Sequence, residues 1–172
     1  LQRTSVALFT TINDILDLSQ LEAGEVGLEH VAFDLASCVE DCVEDFTGVA
    51  SSKGLEIVLN IAPSVPWCVW GDERRLRQVL ENVIGNAAKF THRGRITVSI
   101  APVAGKADRI RFDVSDTGIR FSEEAKSALF EAFGPAGTAH APVGAGLGLV
   151  ISQHLVRLMN GQLTISSQPG KG

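Results

Sequence analysis

Asn82, Asn86 and Lys89 lie four and three residues apart in an otherwise apolar stretch, Leu80-Glu81-Asn82-Val83-Ile84-Gly85-Asn86-Ala87-Ala88-Lys89-Phe90. Three or four residues make about one helical turn, so this spacing puts all three side chains on one face. Asn and Gly each weaken a helix interior by about half to one kcal/mol relative to Ala, so the sequence accepts a cost here. Two carboxamide oxygens and an ammonium suit a magnesium ion with its phosphates, as hard ligands for the metal and a point charge for the anion. A merely solvated helix edge is the competing reading. Further along, Ile110-Arg111-Phe112-Asp113-Val114-Ser115-Asp116-Thr117-Gly118 alternates apolar and polar residues and then turns, the pattern of a half-buried strand. Asp116, just beyond the strand, can accept from an exocyclic amine, and Gly118 lets a flat base approach the backbone, although Asp-Thr-Gly alone is more often a plain turn. Finally, Gly144-Ala145-Gly146-Leu147-Gly148-Leu149 opens into the helical pattern of residues 150–159. Glycines at a helix start expose N–H groups toward an anion, aided by the helix dipole. The run follows no strand, so it is not a dinucleotide-binding fingerprint.

In this order and spacing, the segments resemble the ATP-binding domain of sensor histidine kinases. Asn82 through Thr91 look like the family's N box, led in by Gly71-Asp72-Glu73-Arg74-Arg75-Leu76-Arg77-Gln78-Val79-Leu80. Asp116-Thr117-Gly118 look like the first glycine box, Leu129-Phe130-Glu131-Ala132-Phe133 like the F box, and Gly144 to Leu149 like the second glycine box. Asn13 through Gly24 resemble the end of the second dimerization helix, most like the hybrid-type branch. The resemblance implies an α/β fold, a two-layer sandwich of a mixed sheet and helices of the histidine kinase/gyrase type. It implies residues 1–24 as part of a dimerization helix, 25–32 as a linker, and 33–172 as a catalytic ATP-binding domain lacking its last strand.

By the same resemblance, Asn86 ligates Mg²⁺, Asn82 supports the metal or a phosphate, and Lys89 meets a phosphate. Asp116 accepts from the adenine amine and Gly118 lines the base. Gly144, Gly146 and Gly148 offer backbone donors to the phosphates, while Phe130 and Phe133 pack the base of a lid. ATP and Mg²⁺ are the implied cofactors. The activity implied is protein-histidine kinase: transfer of the γ-phosphate to a histidine on a dimerization helix. None of His30, His92, His140 or His154 has the family's acceptor context, so no catalytic residue is expected in this chain, and the chain alone is not expected to autophosphorylate. The implied partners are a dimerization helix of the same or a partner subunit, in a homodimeric full-length protein, and a response-regulator receiver domain.

Two departures fall on the nucleotide side. The first glycine box usually continues Gly-Ile-Gly, but here it reads Gly118-Ile119-Arg120. Arg at a positive-φ position would strain the turn by about 1 kcal/mol, though its guanidinium could also reach a phosphate. Residues 134–143, rich in Gly, Ala and Pro, lack the polar and basic groups common in the family's lid. These departures keep open a degenerate regulatory module that binds nucleotide weakly. A hydrolytic ATPase like the gyrase and mismatch-repair domains fits less well. Such enzymes need a glutamate placed to activate water, and Glu81 points about a third of the way round the helix from Asn82.

These groups need elements to carry them. Leu76, Val79, Leu80, Val83 and Ala87 give the N-box helix its apolar face, and Asp72 can cap its start. Asp34 can cap a helix running to about Ser51. Strands are expected at 55–62, 67–70, 95–101, 109–115 and 163–167, with 102–108 a loop, and a short helix begins at Ser122. Val6 to Glu22 reads as a helix whose Leu8, Phe9, Ile12, Ile15, Leu16 and Leu18 call for a partner helix. An apolar content of 45% allows a packed core, and a net charge of −5 argues against nucleic acid and anionic lipid. No stretch is long and apolar enough to span a bilayer, so any membrane anchor is expected elsewhere in the parent protein. Cys38 and Cys42 fall four apart on a helix as small buried hydrophobes, and Cys68 stands between Trp67 and Trp70; reduced thiols and a cytoplasmic setting are expected.

Overall fold

Two aspartates begin the helices that frame the larger part of the chain. The computed structural model describes residues 15–21, 23–24, 26–118 and 147–166. One compact unit comprises His30–Arg120 with Ser166–Gly172, the other Leu1–Glu29 with Phe121–Ile165. Residues 15–21 are helical (α1). Then come β1 (Val31–Asp34), α2 (Leu35–Ser52), β2 (Leu55–Ile61), β3 (Cys68–Gly71), α3 (Glu73–Phe90), β4 (Gly94–Val103), β5 (Lys106–Asp116) and α4 (Leu147–Leu158). Asp34 caps α2 by accepting from Ser37 N at 3.0 Å, and Asp72 caps α3 by accepting from Arg75 N at 2.9 Å. Each carboxylate satisfies an amide that the first helical turn leaves without a partner.

In the first unit, β2, β4 and β5 form a mixed sheet, with β2 parallel and β5 antiparallel to the central β4. Helices α2 and α3 pack over it. Alternation along β4 buries Ile96, Val98 and Ile100, which meet Leu35, Val39, Cys42, Leu80, Ile84, Ala87 and Ala88 from the helices. Arg77 of α3 bridges to Asp41 at 3.1 Å and Asp45 at 3.7 Å on α2, and to Glu81 at 3.9 Å on its own helix. These partly exposed pairs add little, about 0.2–1 kcal/mol each, and two of them link α3 to α2.

Several expectations need correction. The buried stripe of α3 is Val79, Leu80, Ile84, Ala87 and Ala88, with Leu76 and Val83 only half-buried. The 102–108 loop is a tight turn at Ala104-Gly105, because β4 and β5 extend to Val103 and Lys106. Proline fits at position 102 because pairing with β2 ends at Ile100, so no donor is needed there, and the register shifts at Pro102/Val103. Alongside the mixed sheet stands an unexpected two-stranded one, with β1 antiparallel to β3. Residues 161–166 hold no regular structure, and no ladder pairs with them among the described residues, so the strand expected at 163–167 is not formed there.

In the second unit, α4 buries Leu149, Val150, Ile151 and Leu155. On α1, Ile15 and Leu16 are exposed. No described helix is long and apolar enough to cross a membrane. Cys38, Cys42 and Cys68 are free, the first two buried. The Cys42 thiol is pushed upward by its hydrogen bond with Cys38 and by burial. The F box, the helix expected from Ser122, and residues 1–14 lie outside the described residues.

Candidate functional site

Helix α3 carries the first part of the site. Asn82 and Asn86 are half-buried and Lys89 is exposed, all on the side away from the Ile84–Ala88 stripe. The Asn86 carboxamide has no hydrogen-bond partner among the described residues. Lys89 Nζ stands 5.2 Å from the centre of the Phe90 ring, a cation–π contact that holds the ammonium at the last turn. Among the described residues, no three His, Cys, Asp or Glu side chains gather as a metal site of their own.

Strand β5 carries the second part. The pairings Ile96↔Asp116, Val98↔Val114 and Ile100↔Phe112 put Asp116 in the helix-facing row, where its neighbours are hydrophobic. Asp116, expected just beyond the strand, is instead its last residue, so a carboxylate ends that row. Asp116 Oδ1 accepts from Gly118 N at 2.7 Å and from Thr91 Oγ1 at 3.1 Å. Oδ2 has no partner among the described residues. Thr91 itself is fully buried just past the end of α3, so both parts of the site meet at that helix terminus.

Close packing leaves no freedom at the turn. A Cβ on Gly118 would lie 2.6 Å from Asp116 Oδ1, 2.8 Å from Thr91 Oγ1 and 2.9 Å from Phe90 O. Only glycine fits there, because its backbone lies directly against the carboxylate and the end of α3. Thr117 clasps the start of β4: its Oγ1 donates to Arg93 O at 3.1 Å and accepts from Arg95 N at 3.1 Å. Gly94, at φ 106°, makes room for it, since a Cβ there would clash with Thr117 Oγ1.

The structure thus brings together Asp116, Gly118 and the end of the helix that holds Asn82, Asn86 and Lys89. Gly148 lies in the first turn of α4 in the other unit, where its carbonyl accepts from Ser152 Oγ at 2.8 Å. Gly144, Gly146, Arg120, and residues 134–143 lie outside the described residues. Sequence reasoning gave no separate role to Thr91 or Thr117. Their signal was only adjacency, one following α3 and the other following Asp116.

Residues 71–172 match the family described as Histidine kinase-, DNA gyrase B-, and HSP90-like ATPase. The signal transduction histidine-protein kinase BarA of Escherichia coli (strain K12) is 40% identical over 176 residues, covering 100% of this chain and 19% of BarA. The virulence sensor protein BvgS of Bordetella bronchiseptica is 41% identical over 171 residues, covering 96% of this chain and 14% of BvgS. The chain therefore spans less than a fifth of these relatives' length. Among solved structures, the crystal structure of full-length ShkA in complex with AMPPNP superposes with a TM-score of 0.81 at 31% identity, over 98% of this chain and 35% of ShkA.

Proposed function

The chain belongs to the histidine kinase-, DNA gyrase B- and HSP90-like ATPase family, and we propose that it works as the catalytic ATP-binding domain of a two-component sensor histidine kinase. It presents ATP so that the γ-phosphate passes to a histidine on a dimerization helix, with residues 1–24 the end of such a helix, 25–32 a linker and 33–172 the catalytic domain. The observation that carries this reading is the Asp116 carboxylate. One of its oxygens is locked by Thr91 and Gly118, and the other is left to accept from a base amine. That arrangement selects adenine, whose exocyclic nitrogen donates, over guanine, whose corresponding oxygen cannot.

The remaining groups bind and orient the triphosphate. Asn86, with Asn82 beside it, would hold Mg²⁺, and the unpartnered carboxamide of Asn86 fits a cation that takes its other ligands from phosphate and water. When bound, that ion supplies charge neutralisation for phosphoryl transfer. Lys89 adds a positive charge at the same edge, and Gly144, Gly146 and Gly148 contribute backbone N–H groups to the phosphates. The kinase reading assigns this chain no general base. Its work is positioning and electrostatic support, which dominate phosphoryl transfer. The full-length protein would be a homodimer, its second substrate being a receiver domain of a response regulator. The free cysteines fit a cytoplasmic, reducing setting.

The degenerate-module alternative rests on Arg120 and residues 134–143, and nothing in the described site favours it. Calorimetric titration with a non-hydrolysable ATP analogue, with and without Mg²⁺, tests the proposal. Binding that needs the metal and disappears in Asp116→Ala supports it. Absence of binding, or equal binding by Asp116→Ala, overturns it.

A further inference from the structure

Lys53 is far in sequence from every residue assigned to the site, yet it reaches the helix end where the site's two parts meet. It closes α2 as its C-cap, and its Nζ then crosses to α3, donating to Ala88 O at 2.6 Å and Lys89 O at 3.3 Å. The last carbonyls of a helix have no donors within it and gather the negative end of its dipole. Thr91 N satisfies Ala87 O at 2.9 Å, and Lys53 satisfies the next two. A lysine suits this task, because its ammonium is a point charge with three donors free to rotate toward adjacent carbonyls.

The turn that Lys53 holds has consequences on both sides. Asn86 and Lys89 lie on it or just before it, while Phe90 O and Thr91 set the positions of Gly118 and Asp116. A triphosphate beside Asn86 and Lys89 would also sit near the unfavourable, negative end of α3. We propose that Lys53 is a positioning residue for the nucleotide. It fixes the offset between the base-reading carboxylate and the phosphate-side edge of α3, and it offsets the helix-end charge that phosphates would meet. The inference rests on the reading of this site as an ATP site.

Paired titrations of the chain with Mg²⁺·ATP and with adenosine test it, because adenosine uses the base side alone and ATP uses both. Lys53→Met keeps the aliphatic stem and removes the charge and donors. Its affinity for Mg²⁺·ATP is expected to fall about five- to tenfold, the scale of one net hydrogen bond, because Lys53 acts through the helix end and not on the nucleotide directly, while adenosine binding stays unchanged. Lys53→Arg should recover most of the loss. Equal weakening for both ligands, or unchanged ATP affinity with a lowered melting temperature, makes Lys53 a structural cap only and overturns the proposal. Should the methionine variant fail to fold, Lys53→Gln, which keeps one donor, is read by the same ATP-to-adenosine ratio. Asp116→Ala separates the two levels. If it binds ATP as the parent does, the ATP reading fails and this role falls with it. If it loses ATP while Lys53→Met keeps full affinity, only the positioning role fails.

Discussion

Adding one methyl group at Gly118 should disable the site while leaving the fold standing. In Gly118→Ala the new Cβ meets Asp116 Oδ1 at 2.6 Å, Thr91 Oγ1 at 2.8 Å and Phe90 O at 2.9 Å. Phe90 O is backbone at the end of α3, and Thr91 is completely buried, so neither can retreat cheaply. Asp116 must give way, which breaks its 2.7 Å bond from Gly118 N, its 3.1 Å bond from Thr91, or both. A hydrogen bond to a charged group contributes about 1.5–3 kcal/mol, and a displaced carboxylate also misses the adenine amine. ATP affinity should therefore fall about 10- to 100-fold. The overpacking itself should cost stability by about 1–3 kcal/mol, because strain at one turn does not reach the α2–α3 core. Calorimetric titration gives the affinity and urea denaturation the stability. If ATP binds the variant as it binds the parent, then Asp116 is not the base-reading group. If the variant unfolds outright, the turn is part of the core rather than a local device.

The remaining expectations are narrower. Thr91→Val removes the hydroxyl that donates to Asp116 but keeps the buried shape, so ATP affinity should fall about three- to tenfold, as expected for one hydrogen bond, while preference for ATP over GTP narrows. Competition titrations of the two nucleotides check it, and an unchanged preference would leave Gly118 N as the only fixing contact that matters. Burial raises the Glu81 carboxyl above its ordinary range, with Arg77 opposing and Asp45 adding to the shift. The folded chain thus holds that proton more tightly than the unfolded one. Stability from this group is full below the unfolded value and is lost as pH rises through the folded one. Glu81→Gln carries no such loss, so its stability relative to the parent should rise as pH climbs from about 4 through the raised folded-state value, in paired urea denaturation curves. A flat difference across that range would contradict the assigned environment of Glu81.

How much of this was readable from residues alone depended on how local the cause was. Asp34 and Asp72 announced their helices because a cap acts within three residues, and the contact is the one expected. Asp116 was legible because an Asp-Thr-Gly turn closes an alternating run, but its place as the last residue of β5, on the helix-covered face, comes from the pairing with β4. Val83 was expected where Ile84 is buried, because Val79–Val83 and Leu80–Ile84 both keep an apolar i, i+4 spacing and only packing against α2 and the sheet decides between them. Pro102 suggested a loop, since proline cannot serve a central ladder; it stands in β4 only because β2 stops short of it. The strand at β3 was expected, but β1 is too short to signal itself, and its pairing with β3 joins segments distant in the chain. Lys53 was invisible for the same reason, as its partners are carbonyls on another helix. The family resemblance supplied what pattern could not, namely the expectation that the asparagine edge and the Asp-Thr-Gly turn serve one site.

The most direct measurement is a crystal structure of this chain grown with Mg²⁺ and a non-hydrolysable ATP analogue. It should show the adenine amine on Asp116 Oδ2, the base against Gly118, and the metal bridging Asn86 and phosphate oxygens. A nucleotide bound elsewhere, or the Asn82–Asn86–Lys89 edge occupied by protein atoms with Asp116 Oδ2 facing no base, would contradict the account.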